Sequence, residues 1–178
     1  SGLKKGRVFG SGTMLDTSRL KSTIAGMFSV NSRDVEAYIL GEHGDSSFST
    51  IESAAVGGVP LAQLKRYDPA GIHDIDQQIR DRAYRIIQSK GATYYGVGMA
   101  VSELVGALKH STRIVYPVTS LLEGEYGLNN VTISVPHYIS NEGVEPIDGY
   151  ELSDNEKAKL SASAQVISGA IASLSEEN

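Results

Sequence analysis

The densest polar cluster in the chain is Gly41-Glu42-His43-Gly44-Asp45-Ser46, directly after the apolar run at residues 35–40. An imidazole is the one side chain whose ordinary pKa lets it gain and lose a proton near neutral pH. His43, set between Gly41 and Gly44 at the end of a strand, is held at a rim that a small ligand could reach. Taken alone, such a histidine reads equally well as a turn residue bonded to backbone. Asp16 and Arg19 form the second set: they lie three apart on a predicted helix and so share one face. Taken alone, they read as an ordinary surface ion pair as well as a site.

Other chemistries have less to stand on. His43, His73, His110 and His137 are widely separated and lack ligand spacing, so no metal site is expected. With no cysteine there is no thiolate ligand, disulfide framework or thiol nucleophile. A hydrolase using Ser11 or Ser46 would need a nucleophile elbow, and no G-x-S-x-G occurs.

The elements that must position these residues follow from periodicity. Leu15, Leu20, Ile24, Met27 and Phe28 place an apolar stripe on a helix over residues 13–30. Residues 1–12 hold four glycines and no amphipathic period, which predicts a loop with a short strand around Val8 and Phe9. Residues 35–40 read as one strand, and residues 47–61 as a strand-like stretch ending in a turn at Gly57 and Gly58. Ile72, Ile75, Ile79, Ala83 and Ile86 define a second helix, stopped near Gly91, and a glycine-containing third runs over residues 93–109. Val115, Pro117 and Val118 open a hairpin whose returning strand alternates at Val131, Ile133 and Val135. Ser153 with Glu156 is a capping signature, and Leu160, Ile167, Ile171 and Leu174 form the stripe of the last helix. Strands and helices do not alternate regularly, so the fold class is α+β with antiparallel strands, not a doubly wound sheet. No G-x-G-x-x-G follows a predicted strand, and the Gly10–Thr13 stretch leads to no acidic ribose partner about twenty residues on. No Rossmann domain is expected in this chain.

The length of 178 residues, 40% of them hydrophobic, suits one globular domain. A net charge of −5 without a basic stripe argues against nucleic acid. No apolar stretch reaches the roughly 18 residues a membrane helix needs, and the expectation is a cytoplasmic protein.

The sequence resembles the C-terminal domain of the L-lactate and malate dehydrogenase family, nearest to the bacterial L-lactate dehydrogenases. The carrying motifs are GSGTMLDTSR (10–19), AYILGEHGDS (37–46), KGATYYGVG (90–98) and GEYGLNNVTISVP (124–136), in that order, with Asp16 and His43 separated by 27 positions. The resemblance implies an α+β substrate domain at residues 13–178, with residues 1–12 the remnant of a connection from an absent dinucleotide-binding domain. It implies that His43 exchanges a proton with the substrate oxygen, that Asp16 orients His43, that Arg19 holds the substrate carboxylate and that Thr93 lines the pocket. Ser11 matches a position near the nicotinamide and reads as well as a serine at a helix start. NAD is the implied cofactor, bound mainly by the absent half, and a dimer or tetramer the implied assembly. The chain alone is then expected to be inactive.

Glu42 stands where malate enzymes typically carry glycine, which leans toward lactate. Malate, bulkier 2-hydroxy acids and an inactive, self-associating domain are the alternatives. Bacterial lactate dehydrogenases activated by fructose 1,6-bisphosphate resemble one another in having arginine and histidine at the positions of Lys21 and Glu36. An acidic Glu36 would repel a phosphate, so activation is not expected. Loss of the partner half is expected to leave apolar surface uncovered.

Overall fold

The computed structural model describes residues 2–91, 94–147 and 149–176. Helix α1 spans Met14–Phe28 and buries Leu20 and Ile24 completely, as the three-to-four spacing requires. It ends at Ser29, whose left-handed backbone (φ 57°) sends its N–H back to the Ala25 carbonyl. At the other end Gly12 (φ 54°) presses on the main sheet. A Cβ there would lie 2.5 Å from Ser134 Oγ and 2.9 Å from the Pro117 carbonyl oxygen, so only glycine lets the helix start this close.

The run at residues 35–40 is not one strand. It divides into β1 (Val35–Glu36) and β2 (Ile39–Leu40), because the two halves pair with different partners. β1 joins β4 (Ala55–Val56), which turns through Gly57 and Gly58, both at positive φ, into β5 (Val59–Pro60). β2 pairs with β3 (Phe48–Ser49) and, through Gly41 and Ser134, touches the main sheet. That sheet is antiparallel: β6 (Ile114–Glu123), β7 (Asn129–Ser140) and β8 (Gly143–Pro146) in sequential order. The hairpin was legible in the sequence; the third strand was not. Val8 and Phe9 form no strand, and only Gly10 bridges the sheet, opposite Thr119.

The second predicted helix is two, α2 (Pro69–His73) and α3 (Ile75–Lys90), broken at Asp74. Ile72, Ile75 and Ile79 are buried as expected; the side chains of Ala83 and Ile86 lie outside the described set. Helix α4 (Tyr94–Ala107) buries Leu104 and Ala107 but leaves Tyr94, Tyr95, Val97, Met99, Val101 and Val105 exposed. Helix α5 (Asp154–Glu176) covers β7 with Leu160 and Ala164. Its capping box forms as read: Ser153 N–H donates to Glu156 Oε2 (2.9 Å) and Glu156 N–H to Ser153 Oγ (3.1 Å). The apolar stripe departs from expectation, since Ile171 and Leu174 are exposed where the helix outruns the sheet.

His137 sits fully buried in β7. A carbonyl can only accept, so Nδ1–H donates to the Val135 oxygen (2.7 Å), and in the neutral ring that burial favours Nε2 accepts from the Ser120 hydroxyl (2.6 Å). Burial pushes its pKa below the ordinary 6.5. The unfolded chain therefore binds this proton first, and stability is lost as pH falls from about 6.5 toward the depressed value. A His137→Gln variant is expected to lose about 1–3 kcal/mol at pH 7. Urea melts at pH 7 and pH 5 should show a smaller pH-dependent loss in the variant; an equal loss in both proteins would refute the assignment.

Candidate functional site

Helix α1 and strand β2 are tied together before either reaches the site. The Ile39 N–H donates to Thr17 Oγ1 at 2.8 Å, and the Thr13 hydroxyl donates to the Ile39 carbonyl. Thr13, immediately before α1, and Thr17, on its first turn, are both buried. This fixes Asp16, next to Thr17, relative to the turn that leaves β2 at Gly41.

Across that gap the three predicted residues meet. Asp16 Oδ2 lies 2.8 Å from His43 Nδ1, and Asp16 Oδ1 accepts from Arg19 Nη1 at 2.9 Å. One carboxylate thus spends one oxygen on the imidazole and the other on the guanidinium. Asp16 and Arg19 are nearly enclosed, with side chains 13% and 10% exposed, while the His43 side chain is 66% exposed. The Asp16 hydrogen bond, more than any other influence, holds the His43 pKa above its ordinary 6.5; partial burial opposes it and Arg19 repels the charged ring. A carboxylate can only accept, so Nδ1 carries the proton, and Nε2 is left without a hydrogen-bond partner among the described residues. The Arg19 guanidinium makes no further hydrogen bond among the described residues, and its nitrogens without a partner are not fully sealed, so they are open to an anion.

The imidazole lines a pocket of about 190 Å³ whose other walls include Asp16, Ile39, Ile79, Arg80 and Tyr84. Helix α3 holds this side in place: Asp76 Oδ1 accepts from Ser49 N–H (2.9 Å), and Arg80 Nη1 donates to the Ser47 carbonyl (3.2 Å). Asp76 and Arg80 fall between the apolar positions that define this helix in the sequence. Their partners lie 27 and 33 positions away, and nothing local signals that contact. Ser11 is exposed before α1, and its carbonyl, not its hydroxyl, accepts from the Met14 N–H at 3.3 Å, so it is not the side-chain cap. Thr93 lies outside the described residues. Among the described residues no group of three or more His, Asp or Glu is placed to hold a metal ion, and no helix is long and apolar enough to cross a membrane.

The family model for the lactate/malate dehydrogenase alpha/beta C-terminal domain matches residues 13–178. The chain belongs to that family. An L-lactate dehydrogenase of Mycoplasma pneumoniae is 45% identical over 169 residues, which cover 94% of this chain and 54% of that protein. One from a Synechococcus species is 41% identical over 175 residues, or 98% and 57%. A lactate dehydrogenase crystal structure from a Medee basin deep-sea metagenome superposes with a TM-score of 0.93 at 37% identity, covering 98% of this chain and 57% of that one. The malate dehydrogenase of Salinibacter ruber gives 0.88 at 32% identity, covering 99% and 57%. The chain thus spans about half the length of the relatives it matches.

In this member of the family, the Asp16 hydrogen bond adds stability while the imidazole is protonated. That contribution is complete below about 6.5 and is lost as pH rises through the elevated folded-state value. Replacing Asp16→Asn is expected to bring the His43 titration down toward 6.5, read from its Cε1–Hε1 NMR resonance. An unmoved midpoint would show that the contact does not set the proton affinity.

Proposed function

We propose that this chain is the substrate-binding and catalytic half of an NAD-dependent L-lactate dehydrogenase, interconverting pyruvate and L-lactate in the cytoplasm. In this reading residues 1–12 connect it to a dinucleotide-binding half. The observation that carries the proposal is the Asp16 carboxylate shared between the imidazole and a guanidinium with N–H groups to spare. Proton transfer and anion anchoring are the two demands that carbonyl reduction of a 2-oxo acid makes on a protein. Two L-lactate dehydrogenases at 45% and 41% identity support lactate over malate, as does Glu42 in the turn.

The chain's fit to the cofactor is confined to its reactive end. His43 and Ser11, the two residues proposed to lie near the nicotinamide ring, are both exposed, whereas no phosphate-cradling glycine motif is present in the sequence. When bound, NADH supplies the hydride. Arg19 would take the substrate carboxylate in a two-point grip and so orient the carbonyl. His43, protonated, would donate from Nε2 to the carbonyl oxygen as it gains charge; in reverse, neutral His43 would take the hydroxyl proton. Asp16 would keep Nδ1–H in place throughout and stabilise the imidazolium. Thr93 is proposed to line the alkyl side of the substrate. A homo-oligomer is proposed on the apolar residues that α4 leaves exposed.

The test is NADH consumption with pyruvate in the protein that joins this chain to its dinucleotide-binding half. His43→Gln is expected to lower kcat by about 10²–10⁴-fold. Arg19→Lys, which keeps the charge but not the fork, is expected to lower kcat/KM by roughly 10–100-fold, mostly through KM. The isolated chain is expected to show no turnover. Full activity in either variant would remove the proposal.

Regulation by a sugar bisphosphate is not expected. Glu36 is exposed at the end of β1, and Lys21 lies with its ammonium 5.4 Å from the Tyr38 ring centre, its pKa lowered by burial and held up in part by Glu36. The carboxylate would oppose a phosphate approaching this side. Fructose 1,6-bisphosphate added to the whole enzyme should leave KM for pyruvate unchanged; a large drop would overturn this expectation.

A further inference from the structure

The turn that carries His43 is closed by a residue from the far end of the chain. Glu42 N–H donates to Ser163 Oγ at 2.8 Å, and Ser163 Oγ lies 2.8 Å from Ser46 Oγ. Ser46 in turn donates to Glu42 Oε2. The proton directions follow from chemistry: a carboxylate only accepts, so Ser46 points its single proton at Glu42, and the proton between the two serines must come from Ser163. The result is a closed, one-way ring that runs from the Glu42 backbone through both hydroxyls to the Glu42 side chain, bracketing His43.

Ser163 is wholly buried on α5 and spends both its donor and an acceptor here. The two glycines of the turn are explained by the same ring. A Cβ on Gly41 (φ 95°) would lie 2.7 Å from Ser163 Oγ, and one on Gly44 would lie 2.6 Å from Glu42 Oε1. The Glu42 carboxylate is therefore folded under the turn, and its main use is to complete the ring. Opposite, α1 presents Asp16 from a position already fixed by Thr17.

We propose that Ser163 is a positioning residue for His43: it locks the turn in the one conformation that brings the imidazole against Asp16. The proposal rests on the reading of His43 as the proton donor, and deepens it by assigning α5 a part in the site. Removing the Ser163 hydroxyl leaves the Glu42 N–H without its acceptor and Ser46 without its donor. The turn then samples other conformations, and the hydrogen bond that raises the His43 pKa is formed for less of the time.

The test is the NMR titration of the His43 Cε1–Hε1 signal in this chain, which needs no activity. In the unsubstituted chain the midpoint should lie above 6.5. In Ser163→Ala it should fall by about half a pH unit or more toward that value, with the buried His137 signal unchanged as a check on folding. Glu42→Gln keeps an acceptor for Ser46 while removing the charge, and should lower the midpoint less than Ser163→Ala does.

A folded Ser163→Ala with an unshifted midpoint overturns the proposal, as does a Glu42→Gln effect equal to or larger than that of Ser163→Ala. If Ser163→Ala does not fold, Ser163→Cys, close in size but a weaker hydrogen-bond partner, decides by the same criterion. A midpoint at 6.5 in the unsubstituted chain would instead remove the Asp16–His43 pairing itself. That outcome takes down the proposed function along with the role of Ser163, and is thereby distinct from failure of the positioning role alone.

Discussion

One carboxylate organises this molecule's polar chemistry. Asp16 is nearly enclosed between two groups of potential positive charge, and an ion so shielded is costly unless its oxygens are occupied. Here each oxygen has one strong partner. The same arrangement fixes the imidazole tautomer and raises its proton affinity. Without Asp16, the guanidinium would act on the charged ring with no intervening anion to offset it.

The rest of the fold serves to bring α1 and the β2 turn together at hydrogen-bond distance, to within the few tenths of an ångström that such a bond tolerates. Thr13 and Thr17 bind α1 to Ile39, Gly12 lets the helix start against the sheet, and Gly41 pairs with Ser134 so that the turn leaves from a fixed point on β7. Apolar packing supplies the stiffness behind these tethers: Leu20 and Ile24 join Val35 and Ile39 in one cluster, while Leu40 and Phe48 join the hairpin and α5 in another. β2 thus lies where the two clusters meet, and the His43 turn inherits its position from both.

Periodic elements were legible in the sequence and context-dependent ones were not. The α1 stripe, the β6–β7 hairpin and the Ser153–Glu156 cap each rest on residues a few positions apart, so local pattern sufficed. The division of residues 35–40 into two strands depends on Val35 finding Val56 while Leu40 finds Phe48, a choice made by partners that no window on residues 35–40 contains. The site divides in the same way. Asp16, Arg19 and His43 stood out because their residue types and the family motifs mark them. Arg80, Asp76 and Ser163 carry no such mark: on their own helices they are unremarkable polar positions, and their use appears only when α3 and α5 are packed against the turn.

Charge balance at the site links the geometry to the proposed chemistry. With His43 protonated, Asp16 stands as one anion between two cations, and the cluster carries a net positive charge that a monocarboxylate would cancel. In the proposed reaction, donating the proton to the substrate oxygen would leave His43 neutral and the cluster balanced on its own, so the product carboxylate would bind without that surplus attraction. The reverse direction would need the neutral ring and the forward one the charged ring, and Asp16 shifts the balance toward the charged one. A second carboxylate on the substrate would over-neutralise the cluster unless another cation met it. The cation that lines the same pocket, Arg80, is already engaged with the Ser47 carbonyl and lies in the company of Asp45 and Asp76. Under the proposed function, Arg80 would therefore not serve as a second carboxylate anchor without giving up its bond to the Ser47 carbonyl.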